Sequence, residues 1–166
     1  MPRWDLKKFN RVSNTLGSAM LSVGEVMAIG RTFEETMQKA CRMVNQSLDG
    51  LDGEESKLVN DDIPLDDQLR IPTDTRLFAV QTAFERGYSV KQVYDLTKID
   101  KWFLSKMHVM SKMKAETKAF KAYAGGGLAA IQQNPTAIKV LKINGFSDRQ
   151  IASYIGSDEM SFRKVS

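Results

Sequence analysis

The chain has 166 residues, 42% of them hydrophobic and 27% charged, with 24 Lys+Arg against 20 Asp+Glu. That apolar fraction is too high for a disordered chain, and no apolar run approaches the roughly 20 residues of a membrane span. A single cysteine, Cys41, excludes an internal disulfide; with the single histidine, His108, it leaves no ordinary zinc set and little room for Cys/His or Ser/His catalysis.

The net charge of +4 is a sum over three unlike pieces: +3 over residues 1–46, −7 over residues 47–74 and +8 over residues 75–166. A basic C-terminal part could attract nucleic acid or an acidic protein, but a solvated lysine-rich helical surface is the plainer reading. The first residues lack a basic stretch followed by an apolar run, so no secretory signal is expected.

In chain order, Ser22 to Gly30 is short and apolar, which predicts a buried strand. On an extended backbone Val23, Glu25, Met27 and Ile29 share one face, and a carboxylate on such a face must be paired, protonated or wetted. A salt bridge, for example to Arg31, is the structural reading; a polar lining of an internal passage is the functional one. Thr32 and Glu35 form a capping box, and Phe33, Met37, Ala40, Cys41 and Val44 follow as a helical stripe. Cys41 on that stripe reads as a core residue rather than a nucleophile. A strand and a helix cannot close a core alone, so this stretch reads as the last unit of a larger sheet.

Residues 47–72, with Gly50, Gly53, Pro64, Pro72 and the acids Asp61, Asp62, Asp66 and Asp67, show no sustained period and read as an acidic linker or surface loop. Asp49, Asp52 and Gly53 lack the ligand alternation and closing glutamate of a calcium loop. From residue 73 onward the pattern is helical, an all-α unit of about six helices. Gly87 closes a helix bearing Leu77, Val80 and Phe84, and Ser89 with Gln92 opens the next by a capping box. Asp100 caps a longer helix bearing Phe103, Leu104, Met107, Met110 and Met113; Gly125–Gly127 interrupt it and Pro135 starts another. Gly145 and the Ser147–Gln150 box repeat the Gly87–Gln92 step 58 residues later. His108 reads as a surface or boundary residue. Such a step also occurs in helix-turn-helix DNA readers. After the first, however, Trp102 and Phe103 suit a core, and after the second Asp158 and Glu159 would repel phosphates.

Four blocks resemble the large, synthetase part of carbamoyl phosphate synthetase: Met1-Pro-Arg-Trp-Asp-Leu-Lys-Lys-Phe9, Ser22–Arg31 with Thr32–Glu35, Leu96–Leu104 and Gly145–Ile151. The likeness is nearest to the glutamine-dependent form in multifunctional eukaryotic pyrimidine-pathway proteins. It implies that residues 1–46 end the carboxyphosphate-forming ATP-grasp domain, residues 47–72 link, and residues 73–166 form the helical oligomerization domain. It also implies a mainly α fold with a strand–helix remnant of an α+β domain, and a parent ligase that uses ATP with Mg2+ or Mn2+. No catalytic, cofactor or metal residue falls in this stretch, because the family's nucleotide-binding groups lie upstream. Met20 and Glu25 map to the wall of the family's carbamate tunnel, although Met20-Leu21-Ser22 departs from the usual Met-Lys-Ser. Residues 114–136 have no recognisable counterpart. Phe84, Tyr88, Trp102, Phe103 and Phe146 are expected in the helical core or at an interface. Expected partners are the rest of the synthetase chain, its glutaminase part and further copies of itself, without nucleic acid or membrane. The compartment implied is the cytoplasm, or the mitochondrion for an arginine- or urea-type parent. The alternative is a helical adaptor or helix-turn-helix DNA-binding module.

Overall fold

The computed structural model describes residues 1–4, 15–45 and 47–166, so Asp5–Phe9 of the first resembling block lie outside the described residues. Strand β1 (Pro2–Trp4) pairs antiparallel with β2 (Ser22–Glu25), with Arg3 opposite Gly24. The Val26 amide extends the pairing to the Met1 carbonyl at 2.9 Å. The strand is shorter and far more exposed than the apolar run predicts. Alternation holds, but Val23, Met27 and Ile29 are 54%, 81% and 79% exposed. Two short strands have only one face to cover, and the other stays in solvent.

Helix α1 (Phe33–Val44) starts at Thr32, whose side chain accepts from the Glu35 amide. The box is only half formed, because Glu35 turns instead to the Arg31 amide (2.8 Å) and to Lys39 (2.6 Å). Cys41 is fully buried in the common core.

Residues 47–72 are not a surface loop. A 3-10 turn (Glu54–Ser56) and helix α2 (Leu65–Arg70) break the segment, and Leu48, Leu51, Leu65 and Leu69 are buried in the same core as the later helices. The glycines that looked like linker residues are sites of close approach. A Cβ on Gly53 would lie 2.7 Å from Thr82 Cα, and one on Gly50 would overlap Gln38 and sit 2.7 Å from Gln150 Oε1. Aperiodic sequence here means irregular backbone that is nonetheless packed.

The helical body continues with α3 (Arg76–Glu85), α4 (Val90–Thr97), α5 (Lys101–Ala119), α6 (Gly127–Gln132), α7 (Pro135–Ile143), α8 (Asp148–Ile155) and α9 (Glu159–Arg163). Helix α5 is the spine: Leu104, Met107 and Met110 are buried, and it packs against α1, α3, α4 and α8. Burying each such side chain is worth about 1.5–3 kcal/mol. Arg76 joins two helix ends from the side, donating to the Leu69 carbonyl at 2.7 Å and the Thr97 carbonyl at 3.1 Å. Helix α6, inside the stretch that matched nothing, was not foreseen; its Ile131 is fully buried.

The repeated step is physically real. Gly87 and Gly145 sit at φ +88° and +84°, a left-handed conformation that glycine adopts without penalty. Ser89 and Ser147 then form complete capping boxes with Gln92 and Gln150. The surroundings differ: nothing lies within 4 Å of a Cβ built on Gly87, whereas one on Gly145 would meet Glu35 Cα at 2.8 Å. The second turn is therefore pressed onto α1, and Arg42 fixes it there by donating to the Gly145 carbonyl at 2.8 Å.

Candidate functional site

Two places concentrate chemistry. The first is an open groove of about 670 Å³ between the β2 extension and α1, with Val26, Met27, Phe33, Met37 and Leu77 among its walls. It is overwhelmingly apolar, and Glu25 is the carboxylate on its rim. Among the described residues Glu25 makes no ion pair, so the expected bridge to Arg31 is absent. Met20 is 84% exposed and is not among the residues lining this groove, whereas Glu25 is.

The groove wall continues into an aromatic cluster. Phe33 meets Trp102 edge-on at 5.7 Å between centroids and Phe103 at 5.4 Å, and Trp102 meets Phe103 at 5.0 Å. Trp102 and Phe103 are 55% and 44% exposed, at the surface of the helical body rather than inside it. They occupy the first turn of α5, where Asp100 caps by accepting from the Trp102 amide, and they pack on Phe33 of α1 with their outer faces open to solvent. Phe84 and Phe146 are buried. Tyr88 is half-buried, donating from its hydroxyl to Asp66 at 2.9 Å, and His108 is half-buried and stacked on Phe84 at 5.1 Å.

The second place went unnoticed in the sequence. Carboxylate oxygens of Asp52, Glu55 and Glu85 lie within 4.8 Å of one another, a set that could hold a cation. The cation there is Lys114: its ammonium lies 3.0 Å from Asp52 and 2.9 Å from Glu85, and bonds Glu55 more closely. Further donors reach the same carboxylates. Glu85 accepts from the Gly53 and Glu54 amides, both at 3.0 Å. Asp52 accepts from Gln150 Nε2 at 2.9 Å and from the Tyr154 hydroxyl. Lys118 also binds Glu55.

Electrostatics follow from this geometry. Burial alone would lower Lys114, but Asp52, Glu55 and Glu85 outweigh it and hold the ammonium above its ordinary value. Burial pushes Asp52 up, against the pull of Lys114 and Tyr154. Burial would also raise Glu55, but its bonds to Lys114 and Lys118 hold it below the usual carboxylate range. Cys41 is pushed up to about 12 by burial, which leaves it a thiol. One signal was available in the sequence: Lys114 continues the buried stripe of Leu104, Met107 and Ser111 on α5.

Residues 25–166 match the family described as the carbamoyl-phosphate synthetase large chain, oligomerisation domain. The chain belongs to that family. It is 44% identical over 165 residues to the multifunctional protein pyr-3 of Neurospora crassa, covering 99% of this chain and 8% of that one. It is 44% identical over 164 residues to the mitochondrial arginine-specific carbamoyl phosphate synthase large chain of Schizosaccharomyces pombe, covering 98% and 13%. It is also 42% identical over 165 residues to the multifunctional protein CAD of Squalus acanthias, covering 99% and 7%. The chain thus spans only a small fraction of the curated relatives it matches. The DNA-reading alternative finds no support in these matches, and at α9 Asp158 accepts from the Ser161 amide where a phosphate would have to approach. Among the described residues no helix is long and apolar enough to cross a membrane.

Replacing Lys114 with Met leaves three carboxylates without their shared cation and is expected to cost about 3–5 kcal/mol at pH 8. In the wild type, Lys114 contributes stability that is lost only as pH rises through its raised value, and Glu55 stability that is lost only as pH falls through its lowered one. In K114M, protons taken up by the crowded acids relieve the repulsion, so the deficit narrows from pH 8 to pH 5. Urea unfolding at both pH values checks this; an equal deficit at both would contradict it.

Proposed function

We propose that the chain is a non-catalytic segment of a carbamoyl phosphate synthetase, the ATP- and glutamine-dependent ligase that makes carbamoyl phosphate for pyrimidine or arginine synthesis. The observation that carries this reading is the one-sided packing of the N-terminal part. Met20, Val23, Met27 and Ile29 stay exposed on a segment whose other side, at Val26 and Ala28, is half-buried along the apolar groove, as a piece of a larger sheet would be.

In this reading residues 1–46 end the carboxyphosphate ATP-grasp domain, residues 47–72 join, and residues 73–166 form the oligomerization domain. The join is packed, because Leu51 and Asp52 are buried against the helices, so the two parts are held in one orientation. ATP with Mg2+ or Mn2+ acts elsewhere in the parent, and the isolated chain is inactive. The remainder of the synthetase and its glutaminase part cover the apolar groove. The helical body brings copies together through the aromatic cluster of Phe33, Trp102 and Phe103. The compartment follows the parent: the cytoplasm for a pyrimidine-type enzyme, the mitochondrion for an arginine-type one. Met20 and Glu25 contribute to the wall of a carbamate tunnel that is completed by the remainder of the chain.

Sedimentation velocity tests the association. The chain is expected to self-associate with rising concentration, and the W102A/F103A double variant to remain monomeric over the same range; a wild-type chain that stays monomeric throughout would contradict the reading. For Glu25, the E25Q change in the full synthetase is expected to raise the ATP consumed per carbamoyl phosphate formed. An unchanged ratio would remove Glu25 from the tunnel.

A further inference from the structure

The groove and the buried lysine leave a third feature unused. On the far side of α1 lies a separate cleft of about 620 Å³, between residues 29–31 and the C-terminal half of α7. Its walls carry Arg31, Lys39, Lys139 and Lys142 against a single carboxylate, Glu35. Lys39 is engaged, donating to Glu35 at 2.6 Å and to the Ile29 carbonyl at 3.0 Å, and Lys142 is bound to Asp148. Among the described residues, the side chains of Arg31 and Lys139 have no carboxylate partner. Two positive charges outside any close ion pair therefore line one cleft, with Glu35 acting on Arg31 only at longer range.

The cleft is built rather than incidental. A Cβ on Gly30 would lie 2.6 Å from Thr36 Oγ1, so residues 29–31 sit hard against α1. The Gly145 turn at the end of α7 is pressed onto the same helix, 2.8 Å from Glu35 Cα by the same measure. Both walls are thus fixed to α1, one carrying Arg31 and the other Lys139. Ile29 and Ile143, 79% and 55% exposed, add an apolar wall beside the charges.

We propose that this cleft binds an organic phosphate: a dianionic group held between Arg31 and Lys139, with an apolar body resting on Ile29 and Ile143. The charge count favours a dianion over a monoanion, and the planar fork of Arg31 fits phosphate oxygens in pairs. The exposed isoleucines favour an organic ester over the bare ion, because they gain from being covered. The site needs no residue of the groove or of the Lys114 cluster, but it shares Ile29 with the exposed face on which the function proposed above rests; titrating this chain alone, where Ile29 is open, keeps the two questions separate.

The test is a titration of the isotope-labelled chain with phenyl phosphate, monitored by amide chemical shifts, with inorganic phosphate and benzenesulfonate as the probes lacking one feature each. Saturable shifts are expected at Gly30, Arg31, Lys139 and Ile143, tightest for phenyl phosphate and weakened by added salt. The R31Q/K139Q variant changes two exposed side chains and keeps the fold, which near-ultraviolet circular dichroism verifies; it is expected to bind about tenfold more weakly. Absence of saturable shifts in the cleft, or unchanged affinity in the variant, would overturn the site. Equal affinity for benzenesulfonate would overturn the dianion, and equal affinity for inorganic phosphate the organic body.

Discussion

An ammonium group taken out of water is tolerated only when enough acceptors surround it, and three carboxylates crowded together are tolerated only when a cation sits among them. Lys114 and the trio Asp52, Glu55 and Glu85 meet both conditions at once. The consequence is topological. Asp52 and Glu55 come from the irregular segment after α1, Glu85 from the end of α3, Lys114 from the middle of α5, and Tyr154 and Gln150 from α8. One cluster therefore fixes the irregular segment in the angle between three helices. Hydrophobic burial supplies most of the stability, but it is non-directional and would accept Leu51 and Leu65 in more than one arrangement. The polar cluster is directional, because each of its carboxylates meets particular donors.

That constraint explains why some of the molecule was legible in its residues and some was not. Capping boxes, left-handed glycines and apolar stripes are local, and the helices they mark formed where expected: Ser89 with Gln92, Ser147 with Gln150, Asp100 before α5, and Pro135 at the start of α7. The segment around Gly50 and Gly53 was misread because its order is entirely non-local. Its glycines give space to Thr82, Gln38 and Gln150, which are distant in sequence, and its acids meet a lysine about 60 residues away. No short-range pattern encodes such partners. The short helix α6 escaped for a different reason: it follows three consecutive glycines, a signal that ordinarily ends structure rather than starting it.

The candidate site was legible only in part. Alternation placed Val23, Glu25, Met27 and Ile29 on one face correctly, but composition could not tell that this face looks outward. Trp102 and Phe103 pose the same difficulty: a large apolar side chain on a helix suits a core or an interface equally, and only the packed structure shows that these two are open to solvent. These exposed apolar residues are costly in a free-standing domain and ordinary in one that is covered by more chain. The family, and the small share of its relatives that this chain spans, accord with the second situation.

Residues 50–55 belong to the folded body through Glu85, Gln38 and Lys114 rather than forming a tether between two parts. Native-state amide hydrogen exchange reads this directly at three donors: Leu51, bonded to Gln38 at 2.7 Å, and Gly53 and Glu54, bonded to Glu85. Their protection is expected to match that of the buried turns of α5 and to vanish with them in one cooperative opening. Exchange at these three amides at the rate of an open loop, while α5 remains protected, would contradict it.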